Sequence, residues 1–245
     1  AGGAQAVAAM AYGTQSIPKA DKIFGPGNQY VTEAKQQVSQ FTAIDMPAGP
    51  SEVLVMADET ADPAFVASDL LSQAEHGPDS QAMLVASSRA LAERVVREVE
   101  RQLAELPREA IASRALGHSR IIVMDTPEKM VEFANAYAAE HLIISMDNPW
   151  EVARRITAAG SVFIGNYTPE SAGDYASGTN HTLPTYGWAR SCSGINLDSF
   201  MRKITFQEIS PAGLQRIGGV IETMAAAEGL GAHKNAVTLR LRKLE

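Results

Sequence analysis

The 245-residue sequence holds a single cysteine, Cys192. A disulfide framework is excluded, and a reducing compartment, the cytoplasm, is the expected setting. No apolar stretch reaches membrane-spanning length. The opening residues, AGGAQAVAAMAYGTQ, lack a charged n-region and are too weakly apolar for a signal peptide. There is no basic run, and 21 Lys and Arg face 28 Asp and Glu for a net charge of -7. That balance argues against nucleic acid and against an anionic membrane surface. No initiator Met, internal repeat or low-complexity tract is present. Because Gly2-Gly3 leads directly into a helical pattern, the expectation is a chain entered in mid-fold. At 45% apolar and 20% charged residues, it can bury a substantial core in one large domain or two ordinary ones.

Short β-rich apolar runs alternate with helical patterns. Residues 4–12 read as an Ala-rich helix and 22–24 as a strand ending in the turn Gly25-Pro26-Gly27, with Asn28 as N-cap of the next helix. Residues 43–46 form a short strand, and Pro47-Ala48-Gly49-Pro50 breaks regular structure. A second series follows, with strands over 52–57, 83–86, 121–124, 142–145 and 162–165. Helices over 63–76, 90–106, 127–137 and 149–159 separate them; Asp62 caps the first, and Pro63 occupies its first position. The βαβα rhythm implies a doubly wound, mostly parallel sheet with right-handed crossovers. From 166 to 193 the pattern gives way to a long Gly-, Ser-, Thr- and Asn-rich loop, of a length usually kept for function or disorder. A strand-like stretch over 204–209 and two helices, 212–228 and 232–244, complete the chain.

Four short constellations could carry chemistry. Gln73 and His76 lie three apart at a helix end and share one face, so an amide oxygen and an imidazole could meet a borderline cation. On this motif alone the pair fits better a histidine whose charged form is favoured by a helix C-terminus. Glu140-His141 directly precedes a strand, where adjacent side chains point to opposite faces unless the backbone turns. With a turn, a carboxylate that activates water and an imidazole that takes a proton could share a site at a sheet edge. Asp174, in Ser171-Ala172-Gly173-Asp174, is a hard anionic ligand among small residues, or an ordinary turn aspartate. Glu228 and His233 flank Gly229-Leu230-Gly231 between two helices. No thiolate joins these groups, which favours a functional over a purely structural metal site. His118 reads as a surface residue, and Cys192 has no nearby histidine to support nucleophilic catalysis. The turn Gly25-Pro26-Gly27-Asn28 before a helix could meet a phosphate, although Tyr30 replaces the last glycine of the dinucleotide fingerprint.

Taken together, GGAQAVAAMAYGT, KIFGPGNQYVTEAK, IDMPAGPSEVLV, FVASDLLSQAEHGPDSQA, EHLII, GSVFIG, PESAGDYASGTNHTLPTYG and HKNAVTLR resemble the histidinol dehydrogenase family, in that family's order and across essentially the whole chain. The resemblance implies NAD-dependent oxidation of L-histidinol to L-histidine through an aldehyde, at the end of histidine biosynthesis. It implies one zinc per site and an intertwined homodimer, with a longer family chain whose N-terminal portion is missing here. By residue, it implies zinc on Gln73, His76, Asp174 and His233, and acid–base chemistry at Glu140 and His141. Substrate contacts would come from Ser51 and Glu228 together with the zinc ligands and His141, and NAD contacts from Gln5 and Asn28. His181 would line the site. The expected architecture is α/β, with two Rossmann-like domains and a helical tail: 1–48 as the remainder of the NAD-binding domain, 49–195 carrying the zinc and catalytic residues, and 196–245 as the dimerisation segment. Glu228 and His233 on a separate tail suit donation to a partner subunit. Two other readings stand beside this one: a zinc- and ligand-binding fragment or paralogue without catalysis, and a metal-assisted hydrolase using Glu140.

Overall fold

A computed structural model describes residues 2–244. The chain divides into two compact units, Ala1–Phe200 and Met201–Glu245.

In the first unit, α1 (Gly3–Tyr12), β1 (Lys22–Ile23), α2 (Gln29–Val38) and β2 (Ala43–Ile44) form a small layer in which β1 and β2 pair in parallel. Asn28 caps α2 as the sequence predicts, its side-chain oxygen accepting the N–H groups of Tyr30 and Val31. The turn before it is held from below by a buried ion pair, Lys35–Asp45. Lys35 Nζ donates to the Gly25 carbonyl at 2.8 Å, and Asp45 accepts the Gly25 N–H at 2.8 Å and the Met46 N–H at 2.7 Å. Each buried charge is thus both paired and hydrogen-bonded, the condition under which burial is tolerated.

The main sheet has five parallel strands: β3 (Glu52–Ala57), β4 (Gln81–Ala86), β5 (Arg120–Val123), β6 (His141–Ser145) and β7 (Ser161–Ile164), in the order β5-β4-β3-β6-β7. All six residues of β3 are buried, because both faces are covered. Val53, Val55 and Ala57 pack with α3 (Pro63–Ala74) and α4 (Arg89–Leu103). Leu54 and Met56 pack with α6 (Pro127–Tyr137) and α7 (Pro149–Ala153) on the other face. This is the doubly wound parallel arrangement expected from the βαβα rhythm. Among the described residues no helix is long and apolar enough to cross a membrane.

Several boundaries differ from the sequence-based expectation. The helix over 90–106 ends at Leu103, and a further helix, α5 (Glu109–Leu116), precedes β5. Leu106-Pro107 marks the break, as residues before proline leave the helical region. The helix over 149–159 stops at Ala153, and the helix from Pro63 stops at Ala74 rather than His76. The long loop is not structureless: α8 (Glu170–Tyr175) lies within it.

In the second unit, α9 (Pro211–Ala227) and α10 (Gly231–Arg242) form a helical hairpin. Gly218 makes their close approach possible, since a Cβ there would stand 2.8 Å from Leu241 Cδ1. The strand expected over 204–209 is absent; the segment has no regular structure, and Ile204 and Phe206 are exposed. A β-rich run without a hydrogen-bonding neighbour has nothing to hold it as a strand.

The Lys35–Asp45 pair yields a stability prediction. Asp45→Asn leaves a buried ammonium without its counter-charge, and the expected loss is about 3–5 kcal/mol. Urea denaturation of wild type and variant measures it, and a loss below about 1 kcal/mol would contradict the role given to the pair.

Candidate functional site

Chain direction explains why the candidate residues meet. In a βαβ unit the helix runs back against the strand. The six residues of β3 span about 20 Å. The twelve of α3 span about 18 Å, so the end of α3 returns to the amino edge of the sheet where β3 began. Gln73 and His76 stand there. α8 repeats the manoeuvre after β7 and brings Glu170 and Asp174 to the same edge. It approaches closely because residue 173 is glycine: a Cβ there would lie 2.8 Å from Phe163 Cε1. Glu140 and His141 stand at the start of β6, which pairs with β3 in the register Val53↔His141. The backbone turn that lets both face one site is present: Ala138, the C-cap of α6, sits in the left-handed region at φ 57.

The site lies at the amino ends of β3 and β6. Doubly wound sheets usually bind ligands beyond the carboxyl ends, where the strand order reverses. Here that reversal falls between the same two strands, but at their carboxyl ends Asp58 ties the loops together. It accepts N–H groups from Thr60 at 2.9 Å and from Asp147 at 2.8 Å.

A cavity of about 200 Å³ is lined by Ser51, His76, Glu140, His141, Asp174, Tyr175 and His181. His76, Glu170 and Asp174 each offer one ligand atom, and these atoms lie within 4.8 Å of one another. Gln73 is fully buried beside them, its Nε2 3.1 Å from His76 Nδ1, and its Oε1 has no hydrogen-bond partner. A buried, unpartnered amide oxygen next to an imidazole and two carboxylates is a donor set that suits a borderline cation.

His141 is buried, with Nδ1 3.2 Å from the Glu52 carbonyl, 3.6 Å from Glu140 Oε2 and 3.9 Å from Glu170 Oε1. The Glu52 carbonyl, within hydrogen-bond distance, holds a proton on Nδ1 and leaves Nε2 with its lone pair. Burial pushes the His141 pKa down to about 4, so the ring is neutral at pH 7. Burial likewise raises Glu140 to about 8, Glu52 to about 7 and Glu170 to about 9.

Sequence reasoning missed Glu52 and Glu170. Glu52 is buried, although a carboxylate at a strand start reads as a surface residue. Glu170 opens a helix where the sequence pattern reads as loop, and its Oε2 is buried without a partner. The spacing of Glu170 and Asp174, four apart on one helix, was the available signal. Asn28 lines a second cavity of about 250 Å³ that shares Ser51 and His76 with the first. Gln5 is exposed on α1 and lines neither cavity. Glu228 caps the C-terminal end of α9, and His233 lies in the first turn of α10; both belong to the second unit and are exposed. His118 is exposed, as its polar surroundings suggest.

The buried acids set a pH dependence. Glu52, Glu140 and Glu170 have folded-state pKa values of about 7, 8 and 9, above the ordinary 4.5. Their contribution to stability is complete below pH 4.5 and is lost as pH rises through those values. His141 acts oppositely, with stability lost as pH falls from 6.5 towards 4. Three acids outweigh one histidine, so the metal-free protein should be more stable to urea at pH 5.5 than at pH 8.5. Glu52→Gln should flatten that slope, and an unchanged slope would remove Glu52 from the titrating set.

Residues 1–241 match the family model described as histidinol dehydrogenase. The chain is 64% identical over 246 residues to histidinol dehydrogenase of Bacteroides thetaiotaomicron, covering 100% of the chain and 58% of that protein. It is 60% identical over 247 residues to histidinol dehydrogenase of Escherichia coli K12, covering 100% of the chain and 57% of that protein. The crystal structure of histidinol dehydrogenase from Elizabethkingia anophelis superposes with a TM-score of 0.96 at 60% identity, covering 100% of the chain and 57% of that structure. The chain therefore spans a little over half the length of these relatives. On this evidence the chain belongs to the histidinol dehydrogenase family.

Proposed function

We propose that the chain supplies the zinc and acid–base centre of a cytoplasmic, homodimeric histidinol dehydrogenase, which oxidises L-histidinol to L-histidine through L-histidinal. Overall, two NAD molecules each accept one hydride and one water is consumed. The observation that carries this reading is a single cavity lined by Ser51, His76, Glu140, His141, Asp174 and His181, adjoining a second that reaches the Asn28 turn.

His141 suits the base of the first oxidation. It is neutral at pH 7, its Nδ1 is turned to the Glu52 carbonyl, and its Nε2 can accept the substrate's hydroxyl proton. Glu140, 3.6 Å away, suits the second stage, where its carboxylate takes a proton from the water that adds to the aldehyde carbon. Gln73, His76 and Asp174 would hold zinc, with His233 of the partner subunit completing the set. When bound, zinc supplies a fixed positive charge that orients and polarises the substrate's donor atoms. Ser51, at the junction of the two cavities, and Glu228 would contact the substrate. Asn28 and Gln5 would contact NAD, in the domain to which residues 1–48 are assigned.

This reading predicts a division of labour in the full-length protein. His141→Asn should abolish alcohol oxidation, measured as NADH at 340 nm, with zinc still bound. Glu140→Gln should slow aldehyde oxidation more than alcohol oxidation. Equal loss in both half-reactions would sink the division. If the wild-type protein forms no NADH from histidinol, it is not a histidinol dehydrogenase, and binding without catalysis is the surviving reading.

Zinc binding has its own signature. Glu140 and Glu170 are largely protonated at pH 7, and a cation beside them favours their charged forms. Calorimetric titration of zinc in two buffers of different ionisation enthalpy should therefore show net proton release. His233→Ala should weaken zinc affinity, whereas unchanged affinity would remove His233 from the ligand set.

A further inference from the structure

Glu52 is buried at the start of β3 and lies outside the roles so far given to the site. It touches the acid–base pair at three points and Tyr186 at a fourth. Its N–H donates to Glu140 Oε2 at 2.9 Å, and its carbonyl stands 3.2 Å from His141 Nδ1. Its side-chain Oε1 accepts the Glu140 N–H at 3.3 Å and the Tyr186 N–H at 3.2 Å. Glu52 and Glu140 therefore exchange bonds reciprocally, each carboxylate taking the other's backbone N–H.

Strand pairing alone does not explain this. The β3–β6 ladder begins at Val53↔His141, so the peptide that carries Glu140 lies one residue before the paired region. The Glu52 side chain continues the attachment where the ladder has not started. The Glu140 peptide is also confined from the opposite side, because a Cβ on Gly160 would lie 2.5 Å from the Glu140 carbonyl oxygen. Tyr186, the third member, is held in the left-handed region at φ 53, a conformation a tyrosine rarely adopts without outside support. Its N–H points to the same Glu52 oxygen.

We propose that Glu52 is a positioning residue: its carboxylate fixes the Glu140–His141 peptide and thereby sets the directions of the Glu140 carboxylate and of His141 Nε2. The proposal rests on the functional reading above only for its kinetic consequence; the geometric consequence stands apart from it. A displacement of about 1 Å in reacting groups costs on the order of a hundredfold in rate. Glu52→Asp keeps the charge but withdraws the oxygens by one methylene, so it releases the peptide. Glu52→Gln keeps an acceptor oxygen at full reach.

The test is made in the full-length, zinc-loaded protein. Expected for Glu52→Asp is a kcat for histidinol lower by roughly tenfold to a hundredfold, with KM and zinc content near wild type. Glu52→Gln should recover most of that loss. A second readout is the 15N chemical shift of the His141 ring in the zinc-free protein. Wild type and Glu52→Gln should show the Nδ1–H tautomer, and Glu52→Asp a mixture. If wild type makes no NADH, the functional reading fails, and the tautomer measurement alone decides the geometric claim. Wild-type kcat and tautomer in Glu52→Asp would overturn the proposal. Equal losses in both variants, loss of zinc alongside activity, or failure of both to fold would also overturn it, leaving Glu52 a purely structural residue.

Discussion

The parallel pairing of β3 with β6, in the register that sets Val53 beside His141, is the contact on which the rest of the site depends. It puts the Glu52 peptide against the Glu140–His141 peptide, so the first backbone groups of one strand can hold the side chains of the other. A register slip of one residue would turn every side chain of β6 to the opposite face. It would send His141 away from α3 and α8 and leave Leu142 in the cavity. Both strands of this pair are buried along their whole length, which makes such a slip costly, since Leu142 and Ile144 belong to the core formed with α6 and α7.

Helix length provides the second constraint. α3 and α8 both run back from the carboxyl edge and end near the strand starts, so the ligand-bearing residues arrive at the amino edge rather than at the usual switch-point crevice. The two glycines beneath the site, Gly160 and Gly173, serve this convergence by letting the Glu140 carbonyl and the Phe163 ring come closer than any side chain allows. The electrostatic outcome follows from burial. Glu52, Glu140 and Glu170 lose hydration at this sheet edge, which raises their pKa; repulsion from neighbouring carboxylates adds to the rise at Glu140 and Glu170, and the cluster suits the edge to a cation.

Much of the architecture was legible because its signals are local. Alternating apolar strands and amphipathic helices gave the doubly wound sheet, and Asn28 and Asp62 cap α2 and α3 as their residue types suggest. The misreadings came where local signals compete. Residues 204–209 look like a strand but find no neighbour to bond. Residues 170–175 look like loop because Gly173 and Ser171 are weak helix formers, and packing against Phe163 overrides that weakness. Gln73, His76, Glu140, His141 and Asp174 were singled out by residue type and spacing, yet nothing in those patterns separated a site from a helix end or a turn.

The sequence by itself determined the fold class, the caps, the absence of disulfides and the list of side chains able to bind a cation or move a proton. It did so because these depend on residues within a turn or two of one another. Only the tertiary structure decided that five of those side chains share one edge of one sheet, that Glu170 joins them, and that Glu52 braces the pair at 140 and 141. Those facts depend on residues far apart in the chain, as Glu52 is from Glu140 by 88 positions and from Tyr186 by 134, brought together by strand register and close packing that no local pattern encodes.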